Sequence, residues 1–125
     1  MKRKELRQNI MVVLYQYQLL QNDIDTLIEN TFDLELEAVD SFAKAVIYNA
    51  CENQQRYATY INEELVEWTF ERLGYVEQAI LLAACAEFDL KTTQAAIIIN
   101  EAVELSKLYC DDTAFKLING VLDRL

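Results

Sequence analysis

The sequence predicts an all-α protein of six to seven helices in one compact domain. Two observations carry this. The chain has no proline and only two glycines, Gly74 and Gly120. An all-β fold of this length needs many tight turns, and Gly, Pro and Asn-Gly pairs are what make such turns accessible. Apolar residues also recur every three to four positions along most of the chain, the period of a helix with one buried face. A chain of 125 residues, 53% of them hydrophobic, can bury a sizeable core.

The first helix is expected from about Lys4 to Leu20, with Leu6, Ile10, Val13, Tyr17 and Leu20 on its inner face. Gln21-Asn22-Asp23 breaks the pattern, and a short helix follows from Asp25 to Phe32. A third starts near Leu36, buries Val39, Phe42, Ala43, Val46 and Ile47, and reaches Cys51-Glu52-Asn53. A fourth continues to about Leu73, with Tyr57, Ile61, Leu65, Trp68 and Leu73 inward; Gly74 fits the left-handed position that closes many helices. The fifth, Val76 to Phe88, carries the run AILLAACA. Apolar on nearly every side, it belongs at the centre of the fold. After DLKTTQ, with Thr92 or Thr93 as N-cap, a sixth helix from about Ala95 to Tyr109 turns Ile98, Ala102, Leu105 and Tyr109 inward. Asp111 or Asp112 caps the last helix, residues 113–125.

That last helix contains a contradiction. Asn119-Gly120 is a strong hairpin-turn signal, yet it lies among Phe115, Ile118, Leu122 and Leu125 at helical spacing. Within a helix Gly120 costs roughly 1 kcal/mol against Ala. Close packing on a neighbouring helix, the small-residue fifth in particular, is the expected reason. Gly120→Leu is then expected to destabilise by ~1–3 kcal/mol through overpacking.

Charge is unevenly placed. The formal net charge is −10, yet Lys2, Arg3, Lys4 and Arg7 crowd the first seven positions with only Glu5 against them. Residues 21–40 hold seven acids and no base. A basic tip on an acidic body is either an electrostatic footprint for a polyanion or a solubilising terminus. No apolar run approaches the ~20 residues of a membrane span, and charges and amides interrupt the stretch after the basic N-terminus, so it does not read as a secretory signal. A soluble, cytoplasmic protein without membrane contact is the expectation.

Little in the chain suggests catalysis or a cofactor. There is no histidine, so His-based triads and His-metal motifs are excluded. Two isolated glycines cannot form a phosphate loop. Cys51, Cys85 and Cys110 are odd in number and widely spaced, as free thiols are. Glu63, Glu67 and Glu71 fall at i, i+4 and i+8 on the expected fourth helix, a row suited to solvent or to a basic partner. A binding module, not an enzyme, is the class this composition favours, with no cofactor and no metal.

Three stretches go further. KRKELRQNIMVVLYQYQL (2–19) resembles the arginine-rich opening helix of the NusB transcription antitermination family. LGYVEQAILLAACAEF (73–88) resembles that family's central helix. IINEAVELSKLY (98–109) followed by KLINGVLDRL (116–125) resembles its C-terminal pattern. The resemblance implies two three-helix-bundle-like halves, about residues 1–55 and 56–125, in one NusB-like domain. It implies a function too: binding of boxA-type single-stranded RNA together with the ribosomal protein NusE, so that RNA polymerase in the antitermination complex passes terminators, notably in ribosomal RNA operons.

The resemblance also implies site residues. Lys2, Arg3, Lys4 and Arg7 would contact phosphates. Tyr15 would offer a ring to an unstacked base. Lys116 and Asn119 match positions near the RNA, and Glu77 matches one near the partner. Several positions depart from the family pattern. Glu5 stands where an arginine is common, Leu82 replaces a frequent Arg, Thr113 and Ala114 replace an Asp-Ser pair, and Leu117 stands where an RNA-facing Phe is frequent. These departures motivate an alternative: a protein-interaction module of the same fold that binds NusE or another partner with weakened or lost RNA binding. Self-association into a homodimer that hides the basic helix also stays open.

Overall fold

The computed structural model describes all residues, 1–125, and contains seven α-helices and no strand. They are α1 (Arg3–Leu20), α2 (Ile24–Phe32), α3 (Ser41–Glu52), α4 (Gln54–Glu64), α5 (Tyr75–Leu90), α6 (Ala95–Tyr109) and α7 (Asp112–Arg124). Single 3-10 turns lie at Leu36–Ala38 and Phe70–Arg72. Helix α5 packs on α1, α3, α4, α6 and α7. That central place follows from its composition: Ala79, Ile80, Leu81, Leu82, Ala84, Cys85 and Ala86 are all buried, on every side of the helix. One cluster of 30 buried apolar residues draws on all seven helices, so the two ends of the chain share a core.

Several boundaries have identifiable caps. Asp23 accepts from the Thr26 N–H and starts α2. Asp40 accepts from the N–H groups of Phe42 and Ala43, at 2.8 and 3.2 Å. This is why α3 begins at Ser41 and not near Leu36. Asp111 accepts from Ala114 N–H at 2.8 Å and opens α7. The cap expected at Thr92 or Thr93 is absent: α5 ends at Leu90 with Lys91 as its left-handed C-cap, φ 57°, and Gln94 occupies the N-cap of α6 without a side-chain bond.

The largest departure concerns the fourth helix. It stops at Glu64, and residues 65–74 form an irregular connection. Long-range bonds hold that shape. The Asn62 side chain accepts from Phe70 N–H at 2.7 Å, and buried Gln78 donates to the carbonyls of Phe70 and Leu73 at 3.0 and 3.1 Å. Buried Gln18 on α1 donates in turn to Gln78, at 2.7 Å. Phe70 and Leu73 are buried, whereas Trp68 is 46% exposed and points away from the core. Glu67 has φ 64°, so Glu63, Glu67 and Glu71 share no helical face. Gly74 is not a left-handed terminator either. Its φ is −65°, and it is the N-cap of α5.

Other inward assignments also change. Leu20 (53%) and Tyr109 (44%) are exposed, while Gln18 and Ser106 are buried in their helices. Gly120 meets no neighbouring helix. A Cβ added there would find only the Arg124 guanidinium, Nη1 at 3.5 Å and Nη2 at 3.9 Å, an ordinary contact with a side chain.

Candidate RNA and partner interface

The opening helix divides its basic residues between the α6 side and the α3–α5 side, where Arg3 and Arg7 both approach the Phe42 ring. Lys2 and Lys4 line a hollow of about 190 Å³ against the end of α6, shared with Glu5, Gln8, Glu101 and Glu104. Gln8 donates to the Tyr109 hydroxyl, which ties the two helices together there. Arg3 turns the other way and lays its guanidinium 3.7 Å above the Phe42 ring of α3. The basic tip is therefore interleaved with carboxylates on its α6 side and stacked on an aromatic ring on its α3 side.

Arg7 is placed elsewhere than the sequence suggests. It is 8% exposed and forms a two-pronged ion pair with Glu87 of α5, Nε to Oε2 at 2.8 Å and Nη2 to Oε1 at 2.9 Å. The hydrogen bonds to Glu87 raise the guanidinium pKa further, against the opposing effect of burial. Both prongs go to one carboxylate inside the fold, so Arg7 is a structural tie between α1 and α5 and not an exposed phosphate contact. Tyr15 is half-buried and packs against the core.

Lys116 and Asn119 are exposed one turn apart on α7. Lys116 lines a hollow with Leu65, Val66, Leu117 and Gly120. Glu77, in the first turn of α5, lines a second groove of about 290 Å³ between the 65–74 connection and the start of α7. Its walls are Trp68, Arg72, Leu73, Gly74, Asp111, Thr113, Ala114 and Leu117. Leu117 borders both hollows, so Lys116 and Glu77 lie on either side of it. Lys2 and Lys4 share no hollow with Lys116 or Asn119.

Sequence reasoning missed two exposed groups in this region. Arg72 places its guanidinium 5.2 Å from the Trp68 ring. The i, i+4 spacing of this pair is also that of a buried helical stripe, so spacing alone assigns Trp68 to the core. Lys107 of α6 was missed as well; it sits 5.6 Å from the Phe115 ring and 3.9 Å from Glu104. No three His, Cys, Asp or Glu side chains gather closely enough to hold a metal ion. Burial pushes the thiols of Cys51 and Cys85 up to about 12 and that of Cys110 up to about 11, so none is an activated nucleophile. No helix is long and apolar enough to cross a membrane.

Comparison with known proteins completes the picture. A model of the NusB family matches residues 4–125. The transcription antitermination protein NusB of Exiguobacterium sp. is 36% identical over 126 residues, spanning 100% of this chain and 97% of the relative. NusB of Bacillus subtilis is 31% identical, over 100% of this chain and 95% of its own. Among solved structures, NusB of T. maritima superposes with a TM-score of 0.86 at 28% identity, covering 99% of this chain and 89% of that one. A chain from a crystal structure of the antitermination factors NusB and NusE in complex with double-stranded RNA superposes with a TM-score of 0.84 at 27% identity, covering 98% of this chain and 93% of that one. The superposition over nearly the whole chain and a family match from the opening helix to the last residue lead to one conclusion: this chain belongs to the NusB family.

Proposed function

We propose that the chain is a transcription antitermination factor that acts in the cytoplasm and binds boxA-type single-stranded RNA together with NusE, without catalysing a reaction. The observation that supports it most is the superposition, over 98% of this chain, on a protein crystallised with NusE and RNA. Exposed Lys116 and Asn119 on α7, with Lys2, Arg3 and Lys4 at the start of α1, are the groups offered to RNA. Phosphate contacts of this kind give affinity that falls with salt and carries little sequence information.

Filter binding with and without NusE, at several salt concentrations, tests this reading. Binding of boxA RNA is expected to be weak alone and tighter with NusE, and single-stranded RNA is expected to outcompete the same sequence annealed to its complement. No complex at low salt with NusE present refutes it. A second reading, a NusE-binding module with weakened RNA affinity, is favoured by one specific arrangement: Lys2 and Lys4 face Glu5, Glu101 and Glu104 across their hollow. Capture of NusE without any RNA binding is its signature.

A further inference from the structure

A hollow between α4 and the second half of α5 shares no residue with the hollows beside Lys4 and Glu77. On α4, Tyr57, Tyr60, Glu63 and Glu64 follow at i, i+3, i+6 and i+7, so they share one face. Cys85, Phe88 and Asp89 share a face of α5 in the same way. Ala95, Arg124 and Leu125 complete the lining, and the space enclosed is about 450 Å³. The Glu64–Arg124 pair borders it on the side of the Lys116 hollow. Packing within the chain does not cover the apolar walls: Tyr60 is 41% and Leu125 42% exposed.

Three carboxylates line the hollow, and the fold matches two of them. Glu64 Oε2 accepts from Arg124 Nε at 2.9 Å, and Arg124 Nη2 donates to the Glu64 carbonyl at 2.7 Å, which holds the end of α4. Asp89 accepts from the Arg56 guanidinium and the Tyr57 hydroxyl. Glu63 is exposed and belongs to none of the four ion pairs, which are Arg7–Glu87, Arg56–Asp89, Lys107–Glu104 and Arg124–Glu64. One carboxylate is therefore in excess, with both oxygens free to accept. It lies beside rings that already attract a guanidinium: Arg56 is 4.9 Å from the Tyr57 centroid and 5.7 Å from that of Tyr60.

We infer that this hollow docks a segment of a protein partner that presents an arginine beside an apolar side chain. The guanidinium pairs with Glu63 against the Tyr60 ring, and the apolar neighbour covers Phe88 and Leu125. Charge complementarity sets the cation: one unmatched carboxylate takes one positive group, on a chain whose net charge of −10 draws basic partners. Ring and carboxylate together favour arginine over lysine, because the planar fork stacks on an aromatic face and meets two carboxylate oxygens at once. The apolar walls favour a protein segment over a free polyamine, since a lone cation leaves Phe88, Ala95 and Leu125 uncovered. Arginine and aromatic contacts of this kind are the usual anchors of protein interfaces. The surface is separate from the groove beside Glu77 and does not depend on RNA binding.

Amide chemical shifts of the full chain, labelled with nitrogen-15, test this directly. The probe is the capped peptide Gly-Leu-Arg-Gly, with two controls: the same peptide with neutral citrulline for arginine, and spermidine. The arginine peptide is expected to move signals of residues 57–64 and 85–89 and to bind about 10-fold more tightly than the citrulline peptide, the worth of one cation on a ring and a carboxylate. Glu63→Gln and Tyr60→Ala are each expected to weaken it about 5-fold or more, while Tyr60→Phe keeps most of the affinity. Both positions are exposed, so these variants fold. Saturating NusE is expected to leave peptide binding unchanged. Equal binding of the citrulline peptide overturns the proposal, as does an absence of shifts at millimolar peptide. Shifts confined to the acidic segment 21–40 make the attraction non-specific and also overturn it. Spermidine that binds these residues as tightly as the peptide assigns the hollow to a free cation and overturns the protein partner. Displacement of the peptide by NusE overturns the separate surface and leaves the antitermination reading intact.

Discussion

Replacing Glu87 with alanine removes one half of the Arg7–Glu87 pair and strands the other. The side chains are 9% and 5% exposed, and Arg7 directs both prongs at the one carboxylate. A guanidinium cannot escape by losing its proton, so the variant must either leave a charge buried or open the α1–α5 contact. Breaking a buried pair from one side costs about 3–5 kcal/mol, against a total stability of about 5–15 kcal/mol for a domain of this kind. Urea denaturation followed by far-ultraviolet circular dichroism reads the loss as a lower midpoint. The double change Arg7→Met with Glu87→Leu leaves no stranded charge and is expected within about 1–2 kcal/mol of the parent. The same placement has a functional side. Lys116→Ala is expected to lower the salt dependence of RNA binding by about one unit of slope, and an Arg7 variant that still folds is not. A Glu87→Ala loss below about 1 kcal/mol means that the guanidinium reaches water, and refutes the structural role given to Arg7.

Gly120→Ala is expected to stabilise the protein by up to about 1 kcal/mol, because the added Cβ meets only Arg124 and the helix gains propensity; a measured loss would reinstate a close helix contact. Asp40→Ala is expected to cost about 1 kcal/mol through the two N–H groups it uncaps, measured in the same denaturation assay. Alkaline stability follows from Tyr48. Burial first, and then its bond to Asp25, pushes the phenol up to about 12. A raised folded pKa gives stability that is complete below the ordinary tyrosine range near 10 and lost as pH climbs toward about 12. On the acid side, burial alone would raise Asp89, but hydrogen bonds from Tyr57 and Arg56 outweigh it and hold the carboxyl below its usual range. Its contribution is present above the ordinary carboxylate range and lost as pH falls below it. Melting temperature against pH should therefore drop at both extremes, and Tyr48→Phe should flatten the alkaline limb.

How much of this was legible depends on where the partners of each residue lie. Helices α1, α2, α5, α6 and α7 are readable to within a residue or two because their apolar periodicity and their breaks are local. The overrun of α4 came from a genuine helical spacing, Tyr57-Ile61-Leu65-Trp68, that continues past the helix end. Gln78 and Asn62 capture the Phe70 and Leu73 groups that would otherwise continue the ladder, and no local propensity reports such bonds. Lys116, Asn119 and Glu77 come from the family resemblance alone; the meeting of the Lys116 and Glu77 hollows at Leu117 needs three separated segments to come together. Trp68 shows the converse error, since a large aromatic at helical spacing is read as core by default and only its exposure marks it as available.

Sequence by itself determines that this chain is helical, that α5 is its centre, and that it carries the motifs of the NusB family, because periodicity, composition and motif order are properties of neighbouring residues. Tertiary structure decides which charges remain available. Arg3 and Arg7 look alike in KRKELR, four positions apart on one helix. One ends above the Phe42 ring at the surface, and the other is buried against a carboxylate 80 positions away. Helical periodicity turns residues four apart by about 40° and moves them one turn along the axis. What each of them meets there is settled by packing with distant segments, and packing assigns one arginine to the surface and the other to the core.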